Sequence, residues 1–343
     1  MGHSTPISTD ALVIGAGPVG LFQVFQLGLQ GLHAQVVDAL PLVGGQCMAL
    51  YADKPIYDIP GLPHCTGREL IERLQLQAAP FKPQFHLNQL VANLAQGPDG
   101  RWLVGTSSGP TFASRTVFIA GGVGAFVPRK LALLELKAFE GSQVFHAVPD
   151  SLNLQGQHLV VVGSDDQALQ AVLDSLNHSP ASVTLVHRRA TLDASAELQT
   201  AFQQACDAGR AQLQVGQVQG VQAQDGPLAG LQLATLQGET QLPCDQLWVI
   251  LGLSPQLGPV AEWGLAMAKK QLAVDTESFA TSAPGIFAVG DINSYPGKRK
   301  LIVSGFHEAT LAAFGAAAHL NPGQKIPLEY TTASPRLHKL LGL

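Results

Sequence analysis

Apolar residues arrive in this chain as short unbroken runs, each followed by a glycine turn and then by a stretch of helical period. Residues 11–14 form an apolar run of strand length, Pro18–Leu29 reads as a helix, and Ala34–Val37 as a second strand. The same rhythm returns at His158–Val162, a helix over about 166–176, and a strand over 183–186. Two βαβ units about 145 residues apart predict two related α/β domains rather than a short-period repeat. Between them a strand over 115–120 enters a turn with Gly121, Gly122 and Gly124, and a strand over 247–251 leads into residues 252–259. A last run, 285–289, ends at Gly290-Asp291, and a helix over about 304–319 follows. The tail from Asn321, with three prolines, is expected to be ordered without long elements.

Composition narrows the class. The 343 residues hold 46% apolar and 13% charged side chains, a globular balance, and a net charge of −5 gives no global basic field for nucleic acid or a membrane surface. Residues 11–29 are uncharged over 19 positions, close to the length of a membrane span. Gly15, Gly17, Pro18 and Gly20 break that stretch into a strand, a turn and a helix, so no span is expected. The first ten residues lack a positive region followed by an apolar run, so no signal peptide is expected. Four cysteines without paired spacing fit a reducing cytoplasm, and no metal-ligand cluster stands out.

The strongest chemical signal is Gly15-Ala16-Gly17-Pro18-Val19-Gly20, a GxGxxG between strand and helix. The first glycine makes the tight turn, the second lets backbone approach a pyrophosphate, and the third permits close packing of helix on sheet. Asp38 ends the next strand, 18 residues after Gly20, where a carboxylate accepts hydrogen bonds from a ribose. Gly44-Gly45-Gln46 and the distant Gly290-Asp291 are more than an NAD site needs; they point to FAD, whose ribityl-phosphate arm requires further partners.

At this point the chain resembles the thioredoxin-reductase-like class of ferredoxin–NADP reductases. The resemblance rests on DALVIGAGPVGLF (10–22), VVDALPLVGGQC (36–47), YADKPIYDIPGLP (51–63), FIAGGVGAFVPRK (118–130), TSAPGIFAVGDINSYPGK (281–298) and LIVSGFHEA (301–309). It implies two Rossmann-like three-layer nucleotide-binding domains, the second inserted in the first. The FAD domain would comprise residues 1–116 and 281–343, and the NADP(H) domain residues 117–280. It implies FAD contacts from Asp38, Gln46, Tyr51, Val91, Phe126, Asp291 and Thr332, with Asp38 on the adenosine ribose, Val91 on adenine through its backbone, and Asp291 on the ribityl chain. Tyr51 and Tyr330 resemble the aromatic pair that sandwiches the flavin ring. It further implies a homodimer in which the tail of one subunit covers the flavin of the other, and ferredoxin or flavodoxin as electron partner. The cations considered for docking such acidic partners are Lys298-Arg299-Lys300, Arg129-Lys130 and Arg336 with Lys339.

Related flavoenzymes carry a redox cysteine pair, and this chain lacks both forms. Cys47 matches the first position of GGxCxxxxC, but the second is Ala52; the CxxC of the other branch is replaced by His146 and Pro149. The inserted domain departs from its own pattern as well. In VVVGSDDQAL (160–169), Gly163 and Ala168 hold the outer positions of GxGxxA, while Asp165 takes the place of the middle glycine. Asp165 adds bulk and like charge where a pyrophosphate belongs, Asp166 is expected to cap the helix, and Asp193 stands near where the family tends to have an arginine. Against this, His187-Arg188-Arg189 ends the next strand with the basic groups that a 2′-phosphate requires. Two functions follow: a flavoenzyme using NADPH, with no catalytic side chain beyond the cofactor, or an FAD-binding protein with impaired NADPH use that is reduced by another donor or acts as a sensor.

Overall fold

A computed structural model describes residues 5–149, 153–224 and 226–342. The chain begins with β1 (Ile7–Ile14), whose residues alternate between two buried faces. Pro18 starts α1 (Pro18–Leu29); a proline at the first helical position loses no intrahelical bond and presets φ. β2 (Ala34–Val37) is buried at all four positions, as a central parallel strand must be. α2 (Gly45–Tyr51) follows, then α3 (Gly67–Ala78), which opens on a capping box between Thr66 and Glu69. Next come β3 (Gln84–His86), β4 (Val91–Gln96), β5 (Trp102–Thr106) and the nine-residue β6 (Thr111–Ile119).

After the crossing at residues 125/126, β7 (Val144–Phe145), β8 (His158–Val162), α4 (Asp166–Ser175), β9 (Ser182–His187), α5 (Ala196–Asp207) and β10 (Gln212–Val215) build a second unit. An antiparallel meander, β11 (Gln217–Ala223), β12 (Leu228–Thr235) and β13 (Gly238–Pro243), precedes β14 (Gln246–Val249). The five parallel strands lie in the order β7-β14-β8-β9-β10. The chain then returns with β15 (Ile286–Ala288), α6 (Ile302–Leu320) and the short α7 (Pro335–Leu341).

In the first unit the parallel order is β3-β2-β1-β6-β15, with β5 and β4 added antiparallel to the first half of β6. Residue parity along the strands decides which layer each side chain meets. Ala11, Val13, Val36, Phe118 and Phe287 face Val24 and Leu27 of α1 and the alanines of α6. Leu12, Val37, Val117, Ile119 and Ile286 face Val91, Val104 and Phe112 of the meander. The inserted unit repeats this plan. Leu159, Val161, Leu185 and Trp248 meet α4 and α5, whereas Val160, Val162, Leu247 and Val249 meet Val218, Leu231 and Leu233. Each unit is therefore helices, parallel sheet and antiparallel sheet in three layers, as expected.

The units comprise residues 1–125 with 255–343, and 126–254. The expected crossings at 116/117 and 280/281 fall, respectively, before and after these divisions. β6 continues through Ile119 as a central strand of the first sheet, and Leu265 and Leu272 are buried against Leu12 and Ile286. Among the described residues no helix is long and apolar enough to cross a membrane.

Candidate functional site

The first unit gathers its loops at the carboxyl ends of parallel strands, where open α/β sheets bind ligands. β1 ends at Gly15, with φ +112°; a Cβ there would lie 2.4 Å from the carbonyl oxygen of Ala120. A Cβ on Gly20 would fall 1.9 Å from the Gly15 oxygen, so this glycine lets α1 sit directly on the turn. Gly17 has only Gly45 Cα near its Cβ position, at 3.9 Å, and so leaves a concavity at the N-terminus of α1, ahead of Pro18.

Asp38 leaves β2 into this concavity. Its Oδ2 accepts the Ala16 N–H at 2.6 Å and its Oδ1 the Leu40 N–H at 2.8 Å. Burial raises its carboxyl above the ordinary 3.8, opposed by those two bonds. An ionised carboxylate offers about four lone-pair sites, so acceptor capacity remains for a sugar diol. The Asp38 carbonyl accepts the Gln89 N–H at 2.9 Å, which brings buried Val91 alongside.

On α2, the amide nitrogen of Gln46 is 3.1 Å from where a Cβ on Gly122 would stand, so the glycine turn after β6 faces this helix. The Gly44 N–H donates to Ala16 oxygen at 2.9 Å, joining the α2 entrance to the first turn. Tyr51 accepts the Cys47 thiol at 3.5 Å. Its hydroxyl is pushed far above its ordinary value by burial first, then by Cys47 and by the charges of Asp291 and Asp58. Tyr51 and Asp291 are therefore electrostatic neighbours. Asp291 follows Gly290 (φ +80°) in a single 3-10 turn after β15, and Gly290 lies against Val19 of α1. Burial raises the Asp291 carboxyl; Lys298 and Lys300 oppose the rise and Glu308 adds to it.

Gly15, Gly17, Pro18, Gly20, Asp38, Gln46, Tyr51, Val91 and Asp291 are thus brought together. A glycine cradle between two half-buried carboxylates fits FAD, which presents a pyrophosphate and two polyol segments. Tyr330 and Thr332 do not join this cleft. Tyr330 is 68% exposed, and Thr332 is exposed too. The α7 that follows packs by Arg336 against Gly31, beyond the far end of α1. At 1.5 Å per residue the 12 residues of α1 put that end roughly 18 Å from Gly17. Phe126 begins the inserted unit, and its side chain lies outside the described residues.

Reading the sequence did not single out Asn293, Tyr295 or Glu308, which are tied together under Gly290. The available signal was Glu308 itself, a lone acid in the apolar helix α6, where it is fully buried. Lys298, considered for docking, is instead paired with Glu308, its side chain only 8% exposed. Lys130 is occupied by Glu140 at 2.8 Å.

In the inserted unit a Cβ on Gly163 would meet Ile250 oxygen at 2.3 Å, the same close packing as at the first turn. The helix cap is Asp165, whose Oδ1 accepts the Ala168 N–H at 3.0 Å; the expected cap, Asp166, accepts the Ser195 N–H at 2.6 Å instead. Asp193 donates its N–H to Ser164 oxygen at 2.8 Å and pairs with Arg189 at 3.6 Å. Burial lowers the His187 imidazole below 6.5, Arg189 and Arg188 lower it further, and Asp193 opposes them. Arg188 and Arg189 are exposed at the end of β9.

The protein-family comparison matches residues 9–313 to the pyridine nucleotide-disulphide oxidoreductases. A ferredoxin–NADP reductase from Albidiferax ferrireducens is 53% identical, over 99% of this chain and 98% of its own. Another from Acidovorax sp. is 55% identical, over 99% and 97%. Among solved structures, thioredoxin reductase from Lactococcus lactis has a TM-score of 0.55 at 22% identity, covering 91% of this chain and 99% of its own. Bacillithiol disulfide reductase from Staphylococcus aureus has a TM-score of 0.59 at 13% identity, covering 93% and 100%. These two likenesses concern the fold alone.

Proposed function

The chain belongs to the pyridine nucleotide-disulphide oxidoreductase family and, within it, to the ferredoxin–NADP reductases; on that premise we propose that it is an FAD-dependent oxidoreductase passing electrons between NADPH and ferredoxin. The observation that carries this is the convergence of the Gly15–Gly20 turn, Asp38 and Asp291 on one cleft, in a chain without a redox cysteine pair. Cys47, Cys65 and Cys244 are buried, and no thiol follows Cys47 at the spacing the disulfide reductases use. Within the chain the flavin, not a dithiol, is therefore the last electron carrier before the acceptor.

FAD, held here, would supply hydride acceptance from NADPH and one-electron release to the acceptor. The chain holds and aims it. The first turn of α1 receives the pyrophosphate, Asp38 the adenosine ribose, and the Val91 backbone the adenine. Gln46 and Asp291 take the ribityl arm, and Tyr51 covers the ring and excludes water. We assign residues 1–125 and 255–343 to FAD, and 126–254 to NADP(H). Gly163 and the end of β9 form the nicotinamide-nucleotide site: Arg188 and Arg189 supply paired donors to a 2′-phosphate, and His187 stands beside them.

The tail reading needs a second copy. Tyr330 and Thr332 are turned to solvent and serve the flavin of a partner subunit in a homodimer. An apolar groove of about 570 Å³, lined by Phe22, Ile59, Leu62, Leu70 and Phe306 among others, supports association through this unit. Flavodoxin is a second acceptor of the same class. Arg299 and Lys300 are the cations of their run left exposed for such acidic partners. The scattered free thiols support a cytoplasmic setting.

Asp165 favours a second reading, FAD binding with weak NADPH use, because its carboxylate already occupies the N-terminus of α4. Anaerobic mixing decides. Bleaching by NADPH, faster than by NADH, supports the reductase. No bleaching by either, while dithionite still reduces the flavin, leaves the second reading.

A further inference from the structure

Val289 is the last residue of its strand to join the ladder, donating to Ile119 oxygen at 3.0 Å. Gly290 then turns left-handed and leaves the sheet, so both its N–H and its C=O need partners elsewhere. Buried without them, each would carry a substantial desolvation penalty. The Asn293 N–H closes the 3-10 turn onto the Gly290 oxygen; the N–H partner and a second, charged donor to that oxygen come from one buried ion pair. Glu308 Oε2 accepts the Gly290 N–H at 2.7 Å, and Lys298 Nζ donates to the Gly290 oxygen at 2.8 Å. Lys298 and Glu308 also bond each other through Glu308 Oε1. Tyr295 donates its hydroxyl to that same oxygen at 2.9 Å, and Asn293 donates its amide to Oε2 at 2.8 Å. The pair thus grips the one residue that determines where Asp291 points.

Stability alone gives little reason for this arrangement. Removing two charges from water costs much of what their attraction returns, and buried pairs are often replaceable by apolar side chains without loss of stability. What the pair adds is direction: two charge-assisted hydrogen bonds of opposite polarity on one peptide turn. Resting on the FAD reading above, we propose that Lys298 and Glu308 are positioning residues, which clamp Gly290 and so aim Asp291 at the ribityl arm of the cofactor. Neither touches the reacting atoms; both act through the turn.

The test compares holoprotein variants by two readouts, the rate of FAD release on dilution, followed by the fluorescence of freed flavin, and the melting temperature. Lys298→Met and Glu308→Gln each leave an uncompensated buried group and are expected to lower both melting temperature and FAD retention. The decisive variant is the double K298M/E308Q, which leaves no buried charge. Its melting temperature recovers most of the loss seen in the single variants, while FAD release stays about ten-fold faster than in the wild type. Wild-type release from the folded double variant would overturn the proposal and leave the pair a structural filler. Should the double variant not fold, Tyr295→Phe decides, since it removes a single hydrogen bond from the half-buried rim of the network. It is expected to release FAD about two- to five-fold faster at nearly unchanged melting temperature, the lower end of what one lost hydrogen bond allows because the effect reaches the cofactor only through the turn; unchanged release overturns the proposal. A wild-type protein that takes up no FAD is a different result, and it sinks the cofactor reading itself.

Discussion

Replacing Asp165 by asparagine isolates one charge in the second nucleotide site. Asparagine caps a helix as well as aspartate does, so the bond to the Ala168 N–H is retained and α4 keeps its first turn. The neighbours keep their own partners, Asp166 with the Ser195 N–H and Asp193 with Arg189. The variant therefore removes like charge and little else. Two unit charges about 4 Å apart interact by roughly 1 kcal/mol in water and about 4 kcal/mol at an effective dielectric near 20. Asp165 is half-buried beside exposed Asp166, so the lower part of that range applies. About 1–2 kcal/mol corresponds to a roughly 5- to 30-fold gain in NADPH affinity. The assay is the saturation of anaerobic flavin bleaching by NADPH, run at low salt and at about 0.5 M salt, where screening shortens the reach of the charge to a few ångströms. The gain should shrink with salt, and melting should not change. Wild-type saturation at low salt, or an equal gain at both salts, refutes the electrostatic account of this loop.

Acidification should release FAD at a higher pH than an ordinary aspartate titrates. Asp38 and Asp291 both have pKa values raised above 3.8, so the folded apoprotein takes up protons at a higher pH than the unfolded chain does. Acid thus stabilises the apoprotein at these two positions while removing the acceptors the cofactor needs. Fluorescence titration should show release starting above pH 3.8, and retention down to that pH contradicts the assignment. Gly20→Ala would press a methyl group into the Gly15 carbonyl, and overpacking of this kind costs about 1–3 kcal/mol. A melting temperature within experimental error of wild type shows that the turn relaxes and is not a fixed contact. Cys47→Ser should keep NADPH–ferredoxin turnover within a few-fold, because this thiol only donates to Tyr51; a loss of two orders of magnitude or more revives dithiol chemistry.

The parts legible in the sequence are those in which backbone geometry is decided locally. Gly-Ala-Gly-Pro prescribes its own turn and helix start, and α1 and β2 fall on the expected residues. β1 extends back to Ile7 because Thr9 and Asp10 are held by distant partners. The Asp10 carbonyl accepts the Thr116 hydroxyl, and its carboxylate pairs with Arg115, contacts no local pattern announces. The meander β11–β13 was missed because it is rich in glutamine and glycine, with few apolar residues outside β12. Gly121-Gly122-Gly124 reads as a turn between the two βαβ units, and its facing of Gln46 on α2 is a tertiary contact that no local pattern announces. Lys298 read as part of a solvated charge run because its partner, ten residues on, comes within reach only when β15 and α6 close on each other.

The two units pose the same question at the same place and answer it with opposite charge. In each, the second parallel strand of a βαβ unit ends beside the N-terminus of the preceding helix: β2 at Asp38, β9 at His187-Arg188-Arg189. An acid there accepts from a free ribose and repels a 2′-phosphate; a guanidinium pair does the reverse. On the assignment proposed above, the sign of that one position matches a free ribose in the first unit and a 2′-phosphate in the second. Asp165 sets the two preferences of the inserted unit against each other, since the anion that Arg188 and Arg189 attract must approach a helix end already holding a carboxylate. A phosphate that displaces Asp165 from the Ala168 N–H has to break that cap as it binds. NADPH binding then carries the cost of breaking that hydrogen bond on top of the like-charge repulsion that Asp165→Asn removes, both set against the attraction of two arginines.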